Sequence, residues 1–473
     1  MKQERAPVLD VFQNEKDAKA IPLWPLTEDG VDAWRRDHAG GHAAWAETNK
    51  FNGAPGSVLL LPDGSGGLAG VLLGLGKGDD PLILGALPGV LPSGRYRLSG
   101  DLPGGVDFAC LAWALGAYAF TRYRSKGADW PKLILPDGVD GAEIARIVEA
   151  VHLVRDLVNT PANDMGPAEL AAAAAKVAKT HDAECRVIEG DALLRENYPM
   201  IHAVGRASAA APRLIDIRWG DEVHPKLTLV GKGVCFDTGG LNLKTGSSMA
   251  LMKKDMGGAA HVLGLAAMIM GAGLPVRLRV LIAAVENSIA GNAFRPGDVL
   301  LSRKGLTVEI GNTDAEGRLI LADALSEADA EAPDLLIDMA TLTGAARTAL
   351  GPDLPPFYTD DEAFAAELQA VAGQVADPLW RLPLWQPYES WLDSKIADLN
   401  HISEGPFAGS ITAALFLKRF VERANIHVHI DIYAWNPKPR PGRPVGGEAQ
   451  AIRALYACLK NRYLSDRAAG NSY

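Results

Sequence analysis

The first third of the chain alternates short apolar runs with Gly and Pro: SVLLLP, GVLLGLG, PLILGALP and PKLILP, plus one helical stretch, DFACLAWALGAYAFTRY. This spacing predicts a small α/β domain over residues 1–142. From Glu143 to Asn159 the period changes. Ile144, Ile147, Val148, Val151 and Val154 recur at helical spacing until NTPANDMGP, whose Asn and Pro residues end a helix. Residues 143–160 are read as a linker helix, and 161–473 as the larger domain. That region repeats strand, loop and helix: KLTLVGKG, MGGAAHVLGLAAMIMGAG, VRLRVLIAAVEN, LTVEIGN, a helix after Arg318, and DLLIDMATLTGA. Such alternation predicts a central, mostly parallel sheet flanked by helices, with ligands beyond the carboxyl ends of its strands.

Composition narrows the class without changing the architecture. A length of 473 residues exceeds one ordinary core, which agrees with two domains. No apolar run approaches the roughly 18 residues of a membrane span, and the opening MKQERAPVLDVFQNEK has no apolar signal core, so a cytoplasmic protein without membrane contacts is expected. Cys110, Cys185, Cys235 and Cys458 lack CxxC spacing and read as packing residues in a reducing compartment. The net charge of -10 disfavours nucleic acid as the main partner.

Polar clusters fall at the predicted strand ends. In VGKGVCFDTGGLNLKTG, Lys232 and Asp237 follow an apolar strand; the GxxxxGK[ST] spacing of a phosphate loop is absent, and KTG lacks the companion motifs of a β-lactamase. Asp255 lies among Met249, Met252 and Met256, and a carboxylate in apolar surroundings needs a cation. In NTDAEGRL, Asp314 and Glu316 are two apart and can converge on one ion, while Arg318 at the start of a helix suits an anion. Taken alone, this string also reads as a solvated turn. Four carboxylates with few softer ligands suggest two hard or borderline divalent ions, and with them hydrolysis. HExxH and GxSxG are absent. His427 and His429 share one strand face and read as a structural pair, and His261 as packing; no His or Glu stands out as general base.

Assembled, these residues resemble the leucyl aminopeptidase, or cytosol aminopeptidase, family. VGKGVCFDTGGLNLK, MKKDMGGAA, VENSIAGNAFRPGD, NTDAEGRLILADAL and DMATLTGA run in family order over residues 230–346. The resemblance implies a dinuclear site in which Asp237 and Glu316 bridge two ions, Zn or Mn with Mg as a further candidate, Asp314 completes one site, and Lys232 with Asp255 completes the other. It implies that Lys244 donates to the scissile carbonyl oxygen and that Arg318 holds a bicarbonate acting as proton acceptor. Met252, Thr341 and Gly344 would line the first side-chain pocket, favouring apolar N-terminal residues such as Leu. Short peptides with a free N-terminus would be the substrates and a homohexamer the assembly. His427 stands where the family commonly has Trp, and 436–444 is rich in Pro and Arg, so an altered surface, subunit contact or substrate channel is expected there. Rival readings are another two-metal hydrolase, a dipeptidase or phosphoesterase, and a metal-stabilised nucleic-acid-binding protein.

Overall fold

The computed structural model describes residues 8–13, 19–100, 102, 104–124 and 129–470. It divides into two compact units, Met1–His152 with Lys438–Val445, and Leu153–Pro437 with Gly446–Tyr473. The boundary falls within the helix Gly141–Asn159, where Ile144, Val148, Val151 and Val154 are buried. Among the described residues no helix is long and apolar enough to cross a membrane.

The first unit is built on a six-stranded sheet in the order Phe12–Gln13, Lys132–Ile134, Arg95–Leu98, Ile21–Thr27, Leu68–Gly76, Val58–Pro62. Its pairings are parallel except the last. PLILGALP folds as a 3-10 turn, Ile83–Ala86, rather than a strand: the Asp80 carboxylate accepts from the Leu82 amide, and Ile83, Leu84 and Leu87 are buried. The helix expected through Tyr123 spans only Gly105–Gly116, because Ala117 leaves helical backbone at φ −78°, ψ 55°.

The second unit is an α/β fold around an eight-stranded sheet. Its strands are β1 (Glu184–Glu189), β2 (Arg213–Trp219), β3 (Lys226–Asp237), β4 (Arg277–Asn287), β5 (Leu335–Ala340), β6 (Pro356–Tyr358), β7 (Trp380–Arg381) and β8 (Ile426–Asp431). They lie in the order β7-β6-β8-β5-β3-β4-β2-β1. The four central strands β8, β5, β3 and β4 are parallel, while β2 joins β4, and β6 joins β8, antiparallel. Continuous apolar runs such as Leu335–Ile337 follow from this placement, since a central parallel strand is covered on both faces. Helices α1 (Gly257–Gly271) and α3 (Gly344–Leu350) follow the ends of β3 and β5, and α2 (Gly317–Asp329) follows the strand Thr307–Glu309. LTVEIGN departs from expectation. Its strand, Thr307–Glu309, pairs outside the main sheet with Val299–Leu301 and Leu399–Asn400.

Candidate active site

The polar side chains gather at the carboxyl end of the parallel strands. Asp237 is the last residue of β3, Asn287 of β4 and Asp431 of β8, and Thr341 follows β5. Asp255 sits in the 3-10 turn Met252–Met256 that leads into α1. NTDAEGRL forms the 3-10 turn Thr313–Ala315 and the start of α2: the Asn312 side chain accepts from the Asp314 amide at 2.8 Å, and Glu316 is the N-cap position. The glycine after Glu316 has a specific cause. A Cβ on Gly317 would lie 2.5 Å from Lys232 Cε, so only glycine lets the Lys232 side chain lie against the start of this helix.

Asp237, Asp255 and Glu316 are buried, and each presents an oxygen within 4.8 Å of the others. Lys232 Nζ is 2.8 Å from Asp255 Oδ2 and 3.1 Å from Glu316 Oε1, and donates to the Thr341 carbonyl at 3.0 Å. Lys244 Nζ is 2.8 Å from Asp237 Oδ2 and 2.5 Å from Asp314 Oδ1. Among the described residues Asp255 Oδ2, Glu316 Oε1 and Asp314 Oδ1 have no hydrogen-bond donor other than the ammonium groups touching them. Asn287, not singled out from the sequence, donates to Asp237 Oδ1 at 2.9 Å and to the Thr313 carbonyl at 3.0 Å. Its signal was an Asn ending a long apolar strand next to β3.

Four carboxylates face two ammonium groups, leaving negative charge in excess, and the proton affinities follow. Burial, then Asp237, pushes the Glu316 carboxyl up to about 8. Burial with Asp255 pushes Asp237 up to about 6. Burial works against the Lys232 ammonium, but Asp255, Glu316 and Asp237 outweigh it and hold its pKa above the ordinary value. A hard-oxygen cluster short of positive charge fits divalent cations.

Arg318 is buried in α2, its Nη1 donating to the His401 carbonyl at 2.6 Å while its Nε has no partner among the described residues, so a donor remains for an anion. Burial lowers its pKa to about 10. Met252, Thr341 and Gly344 line a cleft of about 430 Å³ together with Lys232, Asp237 and Asp255. Thr341 Oγ1 donates to Asp255 Oδ1 at 2.8 Å. Lys254, Arg347 and Tyr433, none foreseen from the sequence, line the same cleft. Burial pushes the Lys254 ammonium down to about 8; Asp255 opposes this, and Lys232 and Arg347 add to it.

The histidines are placed as read. His427 Nε2 and His429 Nδ1 contact the two oxygens of buried Asp338 at 2.8 and 2.6 Å, fastening β8 to β5. His261 Nδ1 donates to the Gly257 carbonyl and its Nε2 accepts from the Gln450 amide, a neutral tautomer consistent with burial lowering its pKa to about 4.

Comparison with known proteins finds relatives along most of the chain. Residues 152–456 match the model of the cytosol aminopeptidase family catalytic domain, and residues 21–136 match the M17 aminopeptidase N-terminal domain. A crystal structure of a cytosol aminopeptidase from Coxiella burnetii superposes with a TM-score of 0.92 at 47% identity, covering 96% of this chain and 100% of that one. A Streptomyces griseus protein described as a probable cytosol aminopeptidase is 36% identical, over 91% of this chain and 92% of its own. The bottromycin maturation enzyme BotP, solved in complex with Mn, has a TM-score of 0.85 at 32% identity, covering 94% of this chain and 100% of that one.

Proposed function

Since the chain belongs to the cytosol aminopeptidase family and is a metallo-aminopeptidase, we propose that it removes the N-terminal residue, preferably an apolar one such as Leu, from short peptides, using two divalent ions. The observation that carries this reading is the convergence of Asp237, Asp255 and Glu316 within 4.8 Å at the parallel strand ends. Asp237 and Glu316 would be shared by both ions, Asp314 would complete one site, and Lys232 with Asp255 the other. When bound, the ions supply polarisation of the scissile carbonyl and a lowered pKa for the attacking water. Zn or Mn suits this donor set, with Mg a further candidate, and the Mn in BotP supports the choice.

The chain's own residues supply the rest. Lys232 can act as a ligand only as a neutral amine, so loading must expel the proton that Asp255 and Glu316 now hold on it. Lys244, kept cationic by Asp237 and Asp314, donates to the oxygen of the scissile carbonyl as negative charge develops there. Arg318, with its Nε open, would hold an anion, bicarbonate in this reading, which would supply a proton acceptor for the attacking water. Asp255 would accept from the α-amino group of the substrate, and Met252, Thr341 and Gly344, which line the cleft with it, would receive the first side chain. A cytoplasmic homohexamer that admits only short peptides completes the proposal.

The test is hydrolysis of leucine amide beside its N-acetylated counterpart, by stripped protein resupplied with Zn or Mn. Metal-dependent cleavage of the free amine alone is expected. Cleavage of both compounds would replace the reading with a general two-metal hydrolase, and cleavage of neither with metal bound would refute it.

A further inference from the structure

Met252, Thr341 and Gly344 are not the whole wall of the cleft; two cations stand beside them. Lys254 follows Met252 by two positions, and its Nζ lies 4.9 Å from the centroid of the Tyr433 ring. Arg347 stands one helical turn beyond Gly344 on α3, and its guanidinium also lies 4.9 Å from that centroid. Both charges therefore meet at one aromatic ring on the cleft wall. Among the described residues neither Lys254 nor Arg347 forms an ion pair with a carboxylate.

Asp431, which lines the same cleft, is already engaged. Asp431 Oδ1 accepts from the Leu342 and Thr343 amides at 3.0 and 3.2 Å, and its Oδ2 accepts from the Thr343 hydroxyl at 2.6 Å. The backbone that carries the ring is held in place, because Gln450 Oε1 accepts from the Tyr433 and Ala434 amides, both at 2.9 Å. Lys254 is buried next to Asp255, but that carboxylate already contacts Lys232 and accepts from Thr341, so the Lys254 ammonium faces the Tyr433 ring without an ion-pair partner of its own among the described residues. A carboxylate is the group that satisfies both cations at once.

We propose that Lys254 and Arg347, set against Tyr433, receive the side-chain carboxylate of an acidic N-terminal residue, so that the enzyme accepts Glu or Asp at that position as well as apolar residues. This rests on the aminopeptidase reading above, since it assigns the far end of the same pocket. The amine and scissile carbonyl keep the positions already described, and only the reach of the first side chain changes. Glutamine, of the same shape as glutamate but neutral, isolates the charge.

The experiment compares the metal-loaded enzyme on the p-nitroanilides of Leu, Glu and Gln, which carry no terminal carboxylate of their own. The Glu-to-Gln ratio of kcat/KM is expected to be about tenfold in the wild type. In Arg347→Met it should fall toward one and in Arg347→Lys recover in part, the ratio cancelling any overall change in activity. A wild-type ratio of one or less, with the Leu compound cleaved, overturns the proposal and leaves the aminopeptidase reading intact. Failure to cleave any of the three with metal bound would overturn both. A companion pair, Leu-Gly and Leu-Gly amide, identifies the alternative source: an anion preference that appears only there means the cations read the peptide's own carboxyl terminus, and overturns the side-chain assignment.

Discussion

Gly258 lies where α1 crosses the sheet, three residues after Asp255, and its replacement tests how the site is held. A Cβ there would sit 2.1 Å from the Met339 carbonyl oxygen and 2.9 Å from the Lys232 amide nitrogen, both backbone atoms of β5 and β3. Neither can yield as a side-chain tip would, so in Gly258→Ala the start of α1 must retreat by about 1 Å to restore ordinary contact. That movement draws the turn carrying Asp255 away from Lys232. Overpacking of this kind costs about 1–3 kcal/mol, and a displacement of about 1 Å at reacting groups costs about 100-fold in rate. Thermal unfolding and kcat/KM on leucine amide, measured on the metal-loaded protein, should show both losses. Gly373→Ala is the control: that helical glycine meets nothing within 4 Å, and the change should keep activity and add up to about 1 kcal/mol of stability. Wild-type activity and melting in Gly258→Ala would refute the claim that close backbone packing sets the Asp255 position.

Other outcomes follow from the same physics. The His429 pKa is raised because Asp338 outweighs burial, and Asp338 is lowered by His429 against its own burial. The stability from His429 is therefore full below its unfolded value of 6.5 and fades as pH rises through the folded one, while that from Asp338 fades as pH falls below 3.8. Urea unfolding should lose stability toward alkaline pH more steeply in the wild type than in His429→Gln; parallel profiles would argue against the pair. Arg279 is buried and contacts Asp216 and Glu327 at 2.7 Å and Glu331 at 3.1 Å. Arg279→Met removes the buried cation common to these acids, leaving Arg218 on Asp216 and Glu331 and Arg303 on Glu327, and should cost about 3 kcal/mol in denaturant unfolding; a loss under about 1 kcal/mol would show that the remaining arginines and solvent compensate.

What was legible in the sequence was what a single segment can encode. NTDAEGRL announced its turn and helix start through Asn, Asp and Gly, and the alternation of strand, loop and helix announced a mostly parallel sheet. The shared face of His427 and His429 could be read from their spacing, but not Asp338 as their partner, which lies on another strand. LTVEIGN has the composition of a sheet strand, and only pairing with Leu399–Asn400 takes it out of the main sheet. Lys254, Arg347 and Tyr433 come from three separate segments, and each alone reads as an ordinary surface residue. The Arg318 role illustrates the same limit: the motif placed a cation at a helix start, whereas its spare Nε emerges only once Nη1 is seen bound to His401.

The most direct test of the central claim is metal content against activity. Stripped protein titrated with Zn or Mn should, by mass spectrometry of the native protein, bind two ions per chain as leucine amide hydrolysis appears, and Glu316→Ala should lose both. Full hydrolysis without metal, or a Glu316→Ala protein that keeps two ions and its activity, would contradict the account.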